Sequence, residues 1–415
     1  MSSGRREFIE KVALGLGAFS FFSPEQLSAM EQADDPQDQD SFWYQGQKAF
    51  YQSPKFINLE NGYFSPQPLE TLKAHAEYQK KINEMPSYFM RRMQFEEKKI
   101  AKAQLAELGG VTPEEIVITR NTTEALDTVI LGLKMEKGDE AIMTDQDYLS
   151  MVEAFQQKAR REGTVNKMIS LPLWPKSDEE IVEVYEKAIT KKTKVILVTH
   201  LINLTGQVLP VRKICDMAHS YGVEVICDSA HAFAQLDFKI NDLDCDYLGT
   251  SLHKWLCTPL GAGMLFVKKE KIEKVWPLFG DVTFEDNDIR KFEHIGTHPV
   301  HTHQAITNAI RFHTTIGVKR KEERLKQLRK YWTDKVKDMS KVTLNMPLEP
   351  SRSSAIGNIA IEGYTPSELA DYFYKQHGIF TVAINRKTVK GVRVTPHLYT
   401  RFADLDKFVE AVKQA

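Results

Sequence analysis

The stretch that most constrains the fold runs from residue 193 to 254. TKVILVTHL (193–201) is an almost continuous apolar strand, VRKICDMAHSYG an amphipathic helix ending at Gly222, VEVICDSAH a second buried strand and DYLGTSLHK a third. A strand that is apolar along its whole length needs cover on both faces, and helices between such strands supply it, so the pattern predicts a largely parallel sheet in an α/β fold. The alternation begins earlier. EEIVITR (114–120) reads as a strand, and NTTEALDTVILGLK as a helix with Asn121 as N-cap and Glu124 at the capping-box position. DEAIMTD then reads as a strand and EAFQQKARREG as a helix. In open sheets of this kind, ligands bind at the carboxyl ends of the strands.

Past about residue 300 the pattern changes. A long charged helix, GVKRKEERLKQLRKYWTDKVKDM, leads into IGNIAIEG and GVRVTPHLY, read as strands, and TPSELADYFYKQHG and DLDKFVEAVKQ, read as helices. The chain of 415 residues is long enough for two domains. We expect a large domain over 69–299, a smaller C-terminal α/β domain over 300–415, and an N-terminal arm over 42–68 that joins the smaller one. The net charge of −1 gives no reason to expect a nucleic acid or an anionic membrane as partner. The four cysteines, Cys215, Cys227, Cys245 and Cys257, lack the close paired spacing of a zinc site, so no metal is expected.

The first 30 residues stand apart. MSSGRREFIEKVALGLGAFSFF places Arg5 and Arg6 ahead of an apolar run from Val12 to Phe22, too short for a stable membrane span. The arrangement resembles a twin-arginine export signal, which implies a periplasmic or exported protein, or a cytoplasmic one if the signal is not functional. Residues 31–41 read as an acidic linker.

Polar residues cluster where the strands stop. Thr122 and Thr123 open a helix, where free N–H groups and hydroxyls suit a phosphate. Tyr148 follows the next strand, Asn203 the third, and Asp228 the fourth, with His231 three residues on. Ser251, His253 and Lys254 follow the fifth. A carboxylate and a lysine at buried strand ends are costly unless paired or covalently used. One ligand accounts for all of them: pyridoxal 5′-phosphate. Its phosphate suits the helix terminus, its ring nitrogen a buried carboxylate, its phenolic oxygen donors such as Asn203 and His231, and its aldehyde a lysine.

NLENGYFSPQP, ITRNTTEAL, TDQDYLSM, HLINLTGQVLP, ICDSAHAF, TSLHKWLCTPLGAG, FEHIGTHP and GVRVTPHLYT, in that order, carry a family resemblance. The chain resembles class V aminotransferase enzymes of pyridoxal-phosphate fold type I, most nearly the isopenicillin N epimerase-like branch, from about Asn58 to the C-terminus. The resemblance implies a mostly parallel seven-stranded sheet in the large domain. It implies that Lys254 forms the Schiff base, Asp228 partners the ring nitrogen and Tyr148 stacks on the ring. Asn203 and His231 would lie near the phenolic oxygen, and Thr122, Thr123, Ser251 and His253 around the phosphate. Thr297 would reach the phosphate in a partner subunit, implying a homodimer with shared sites. Arg393 would clamp the substrate carboxylate, a task that suits a bidentate guanidinium. Asn61 and Tyr63, and further out Tyr88 and Arg91, are candidates for substrate contacts. Cysteine desulfurases of this family carry a nucleophilic cysteine before the substrate arginine, whereas TVAINRKTVKGVRV has none.

The expected activity is chemistry at the α-carbon of an amino acid, epimerisation or racemisation first. Transamination and C–S cleavage without a catalytic cysteine stay open, as does a module that binds cofactor or amino acid without turnover. A nicotinamide dehydrogenase is excluded, since the body has no G-x-G-x-x-G between a strand and a helix.

Overall fold

A computed structural model describes residues 39–415. The twin-arginine-like segment lies outside the described residues, and the helix Gln39–Lys48 takes in the last residues read as linker.

Seven strands form the main sheet: β2 (Ile116–Thr119), β3 (Glu140–Thr144), β4 (Val165–Ile169), β5 (Thr193–Thr199), β6 (Glu224–Asp228), β7 (Tyr247–Ser251) and β8 (Gly263–Val267), all following β1 (Ile57–Asn58) in the chain. Their spatial order is β2-β8-β7-β6-β5-β3-β4. Every neighbouring pair from β7 to β4 is parallel, and β8 runs antiparallel to both β2 and β7. Successive residues enter opposite cores. Ile116, Ile118, Ile196, Val198, Val225 and Cys227 face one, while Val117, Val195, Leu197 and Ile226 face the other. The period-two alternation of the pleat, applied to unbroken apolar strands, buries both faces. The reversal at β8 is the part that the strand pattern alone does not reveal. Residues 252–262 are too few for the crossover of about a dozen or more residues that a parallel return needs.

A second, four-stranded antiparallel sheet has the order β12-β13-β10-β9, from β9 (Val342–Leu344), β10 (Gly357–Ile361), β12 (Val382–Asn385) and β13 (Lys390–Val394). The charged helix Val318–Val336 turns Leu328, Trp332 and Val336 toward it, and Trp332 meets Phe408 edge-on at 5.4 Å between ring centroids. The helix Pro366–His377 starts on a capping box made by Thr365 and Glu368. The arm reaches this sheet: β1 pairs in parallel with β11 (Ile379–Phe380), Leu59 enters the same core, and Glu60 bridges to Thr395 just beyond β13. That contact lays the sequence Glu60-Asn61-Gly62 against the strand carrying Arg393.

Candidate active site

The carboxyl ends of β2, β7, β6, β5 and β3 lie along one edge of the main sheet, and the residues singled out above follow them in that order. At the first end, Asn121 caps the helix Thr122–Gly132, its side chain accepting from the Glu124 N–H at 2.9 Å. Because β8 is antiparallel, its first residue, Gly263, meets the same turn. A Cβ on Gly263 would stand 2.6 Å from the Asn121 backbone, so the turn can close only over a glycine. Ser251, at the end of β7, accepts from the Thr122 N–H at 3.0 Å and shares a 2.7 Å hydrogen bond with its hydroxyl. Thr123 is half-buried beside them. His253 donates from Nδ1 to the Ala262 carbonyl at 3.2 Å, and burial followed by the Lys254 charge lowers its pKa to about 4. With Nδ1–H donating to that carbonyl, Nε2 of the neutral ring carries a lone pair and can donate to an anion only once the ring is protonated.

The centre of the edge is more deeply buried. Asp228 ends β6 and is 3 % exposed; Oδ1 accepts from the Ala230 N–H at 3.0 Å. Burial raises its pKa, opposed by that hydrogen bond and by the Lys254 charge. Lys254 is half-buried, with Nζ 3.0 Å from His231 Nε2 and 5.9 Å from the centroid of the Tyr148 ring. Its pKa falls to about 8, first through burial and also through Arg393, while Asp228 and Glu60 act in the opposite sense. About half of such amines are neutral at pH 8, against roughly 0.3 % for an ordinary lysine. Asp147 is a buried carboxylate that sequence reasoning passed over. It accepts from the Thr144 N–H and the Thr199 hydroxyl, each at 2.6 Å, and burial drives its pKa up to about 7.

Arg393 closes the site from the second sheet. Its Nε and Nη2 donate to the two oxygens of Glu60 at 3.2 and 2.5 Å, and Nη1 donates to the Asn203 carbonyl at 3.1 Å. The side chains of this pair are 8 % and 6 % exposed. Glu60 Oε1 also accepts from the N–H groups of Gly62 and Tyr63. A guanidinium has five N–H groups, so one remains on each terminal nitrogen, a fork that suits a second carboxylate. Gly62 makes room for it: a Cβ there would stand 2.7 Å from Arg393 Cζ and Nη2. Gly62→Ala is therefore expected to displace the guanidinium and weaken binding of a carboxylate ligand by about 10- to 100-fold, the loss of charged hydrogen bonds. Titration with an amino acid and with the matching amine, which lacks the carboxylate, checks this. Equal losses for the two would count against it.

The structure thus brings Thr122, Ser251, His253, Lys254, His231, Asp228, Asn203, Tyr148 and Arg393 to one place. It does not bring all the expected contacts there. Asn61 is fully buried, donating to the Thr395 carbonyl at 2.8 Å and accepting from the Tyr399 hydroxyl at 2.6 Å. It braces the Arg393 region rather than facing a ligand, because each polar atom of its side chain is already engaged. Tyr63 is 78 % exposed, and Thr297 is exposed as well. Tyr88 is exposed on the short helix Pro86–Arg92. Glu60, Gly62 and Trp255 were not singled out from sequence. The available signal was the Glu60-Asn61-Gly62 run directly after Leu59, and the bulky Trp255 next to Lys254. All four cysteines are buried and unpaired.

Among curated proteins, the chain is 23 % identical over 387 residues to an isopenicillin N epimerase from Streptomyces clavuligerus, covering 89 % of this chain and 97 % of the relative. It is 26 % identical over 333 residues to an isopenicillin N epimerase from Amycolatopsis lactamdurans, covering 76 % and 84 %. A probable cysteine desulfurase from Halalkalibacterium halodurans is 29 % identical over 271 residues, covering 62 % and 64 %. The fold is shared with a cysteine desulfurase from Thermococcus onnurineus, at a TM-score of 0.79 and 24 % identity over 89 % of this chain and 98 % of that one. It is shared equally with a cystine C–S lyase, at 0.80 and 19 % over 86 % and 97 %. The family description "Aminotransferase class-V" matches residues 58–408, and the chain belongs to the class V aminotransferase family.

Proposed function

We propose that this protein is a pyridoxal-phosphate enzyme that inverts the α-carbon of an amino acid whose carboxylate rests on Arg393. The observation that carries the reading is the shared edge itself: a lysine with a lowered pKa, a buried carboxylate and a guanidinium fork converge from β7, β6 and β13.

The residues present fit the cofactor. Thr122, Thr123, Ser251 and His253 would hold its phosphate, and Asp228 its ring nitrogen. Asn203 and His231 would meet the phenolic oxygen, Tyr148 the ring face and Lys254 the aldehyde. One end of the Asn203 carboxamide is buried without a partner among the described residues, as a ligand-facing group would be. When bound, the cofactor acts as an electron sink that acidifies the substrate Cα–H. The chain's own part is to place that bond. The Arg393 fork holds the carboxylate, the Lys254 amine takes the proton from one side, and Tyr148 is the candidate donor on the other.

Inversion is favoured over sulfur transfer for two reasons. Two isopenicillin N epimerases are similar to the chain over most of its length. Residues 381–392, ahead of Arg393, contain no cysteine, and the four cysteines present are buried. The reading extends to a homodimer with shared sites, in which Thr297, exposed in the single chain, would reach the phosphate site of a second copy.

Incubation with a panel of amino acids in deuterium oxide tests the reading. Deuterium at Cα with loss of stereochemical purity and no keto acid is expected. Keto acid would identify a transaminase, release of a β-substituent a lyase, and an unchanged substrate with no spectral response a binding module. Each of these three would overturn it.

A further inference from the structure

The buried indole beside Lys254 has no part in the chemistry above, yet its one polar atom points into the site. Trp255 is 0 % exposed, and a buried indole N–H needs an acceptor. It has one: Nε1–H donates to His231 Nδ1 at 3.2 Å. The Nδ1 atom must therefore carry its lone pair. The other ring nitrogen, Nε2, lies 3.0 Å from Lys254 Nζ. Turning the imidazole by half a revolution would set carbon atoms against both partners, so the heavy-atom positions select this orientation.

The ring is neutral. Burial is the leading cause that holds the His231 pKa well below the ordinary histidine value, and the Arg393 guanidinium acts in the same sense. A neutral imidazole has a single N–H, and with Nδ1 bare the proton is on Nε2. Nε2–H can only donate. Lys254 can accept only as the free amine, because an ammonium has three N–H groups and no lone pair. A protonated Lys254 would set donor against donor across 3.0 Å.

We propose that Trp255 is a positioning residue that fixes His231 as the Nε2–H tautomer, and that this tautomer holds the Lys254 amine in its unprotonated, nucleophilic form. The inference rests on the functional reading only in giving the free amine a task; the tautomer itself does not depend on it.

Both members of the relay are anchored. The His397 ring stacks on the indole at 5.7 Å and 23°. The buried Lys321 ammonium donates to the Trp255 carbonyl, and Cys257 Sγ lies 3.6 Å from the same oxygen. Gln235 donates to the His231 carbonyl at 2.8 Å while accepting from the Ala355 N–H at 2.8 Å, which ties the histidine to the approach to β10. The other groups around Lys254 divide. Asp228, Glu60 and the Tyr148 ring favour the ammonium, whereas burial and Arg393 oppose it. The His231 tautomer adds to the second set through a hydrogen bond rather than a charge.

The test is long-range ¹H–¹⁵N correlation on full-length, ¹⁵N-histidine-labelled protein, with His231 assigned by the signals lost in His231→Gln. A pyridine-type Nδ1 and a pyrrole-type Nε2 are expected. An Nδ1–H tautomer or an imidazolium in the unsubstituted protein would overturn the proposal without any variant. Trp255→Phe keeps a buried aromatic ring and removes the donor, so Nδ1 can take up a proton and Nε2 can accept from an ammonium. The midpoint of the pH profile for capture of pyridoxal 5′-phosphate, followed by absorbance on the stripped protein, should then rise by about one unit. Near neutral pH that is about tenfold slower capture. An unchanged tautomer and midpoint in Trp255→Phe would equally defeat it. A protein with the expected tautomer that captures no cofactor would instead defeat the functional reading and leave this one standing.

Discussion

Lys254→Ala is expected to lower Cα deuterium exchange by a factor of about 10²–10⁴, the usual contribution of a positioned acid–base group. In the unsubstituted protein, borohydride followed by digestion should leave a pyridoxyl tag on the peptide containing Lys254, and the variant should show none there. Exchange at an undiminished rate, or a tag on another lysine, would remove Lys254 from its assigned role. The same variant has a stability signature. The folded-state pKa of Lys254, about 8, lies below its ordinary 10.5, with burial as the leading cause. Between these two values the unfolded chain binds more protons, so stability rises with pH across that window. The penalty is fully present below pH 8 and is gone above pH 10.5. Cofactor-free Lys254→Ala should therefore be more stable than the parent at neutral pH, with the difference shrinking as pH approaches 10.5. Chemical denaturation at a series of pH values reads this directly, and a constant difference would contradict the burial argument.

The second large effect concerns Arg393. Its guanidinium and the Glu60 carboxylate are both nearly buried and bonded to each other. Removing one member of such a pair strands the other charge, at a cost of about 3–5 kcal/mol. Arg393→Met is expected to destabilise the fold by that order and to abolish discrimination between an amino acid and its decarboxylated amine. Adding Glu60→Gln removes the stranded charge and should restore most of the stability while leaving the discrimination lost. The pair of measurements separates the two roles. If unfolding of Arg393→Met matches the parent, the ion pair does not form as described. If discrimination survives in the double variant, the carboxylate binds elsewhere.

Much of the large sheet was legible in the sequence because its signals are local. Unbroken apolar runs at 195–198 and 225–227 report burial on both faces, and these residues do alternate between two cores. Asn121 announced a helix start through a side-chain hydrogen bond that spans three residues. Asp228 and Lys254 stood out because a charge after an apolar strand is costly without a purpose. The contacts of Asn61 and Tyr63 were less legible. Both lie in the stretch that passes the site, but side-chain direction in irregular chain depends on what packs beside it. Asn61 turns inward to Thr395 and Tyr399, and Tyr63 outward to solvent.

Sequence alone determined the apolar strands and capped helix that local patterns mark and which polar residues end up at strand termini, since pleat period, capping and desolvation act within a few residues of one another. Only the tertiary structure decided that β8 returns antiparallel, that Glu60 meets Arg393 across 333 residues of chain, and that Trp255 hydrogen-bonds the far side of His231. These contacts depend on how separate segments are brought together in space, and no local pattern encodes that distance or direction.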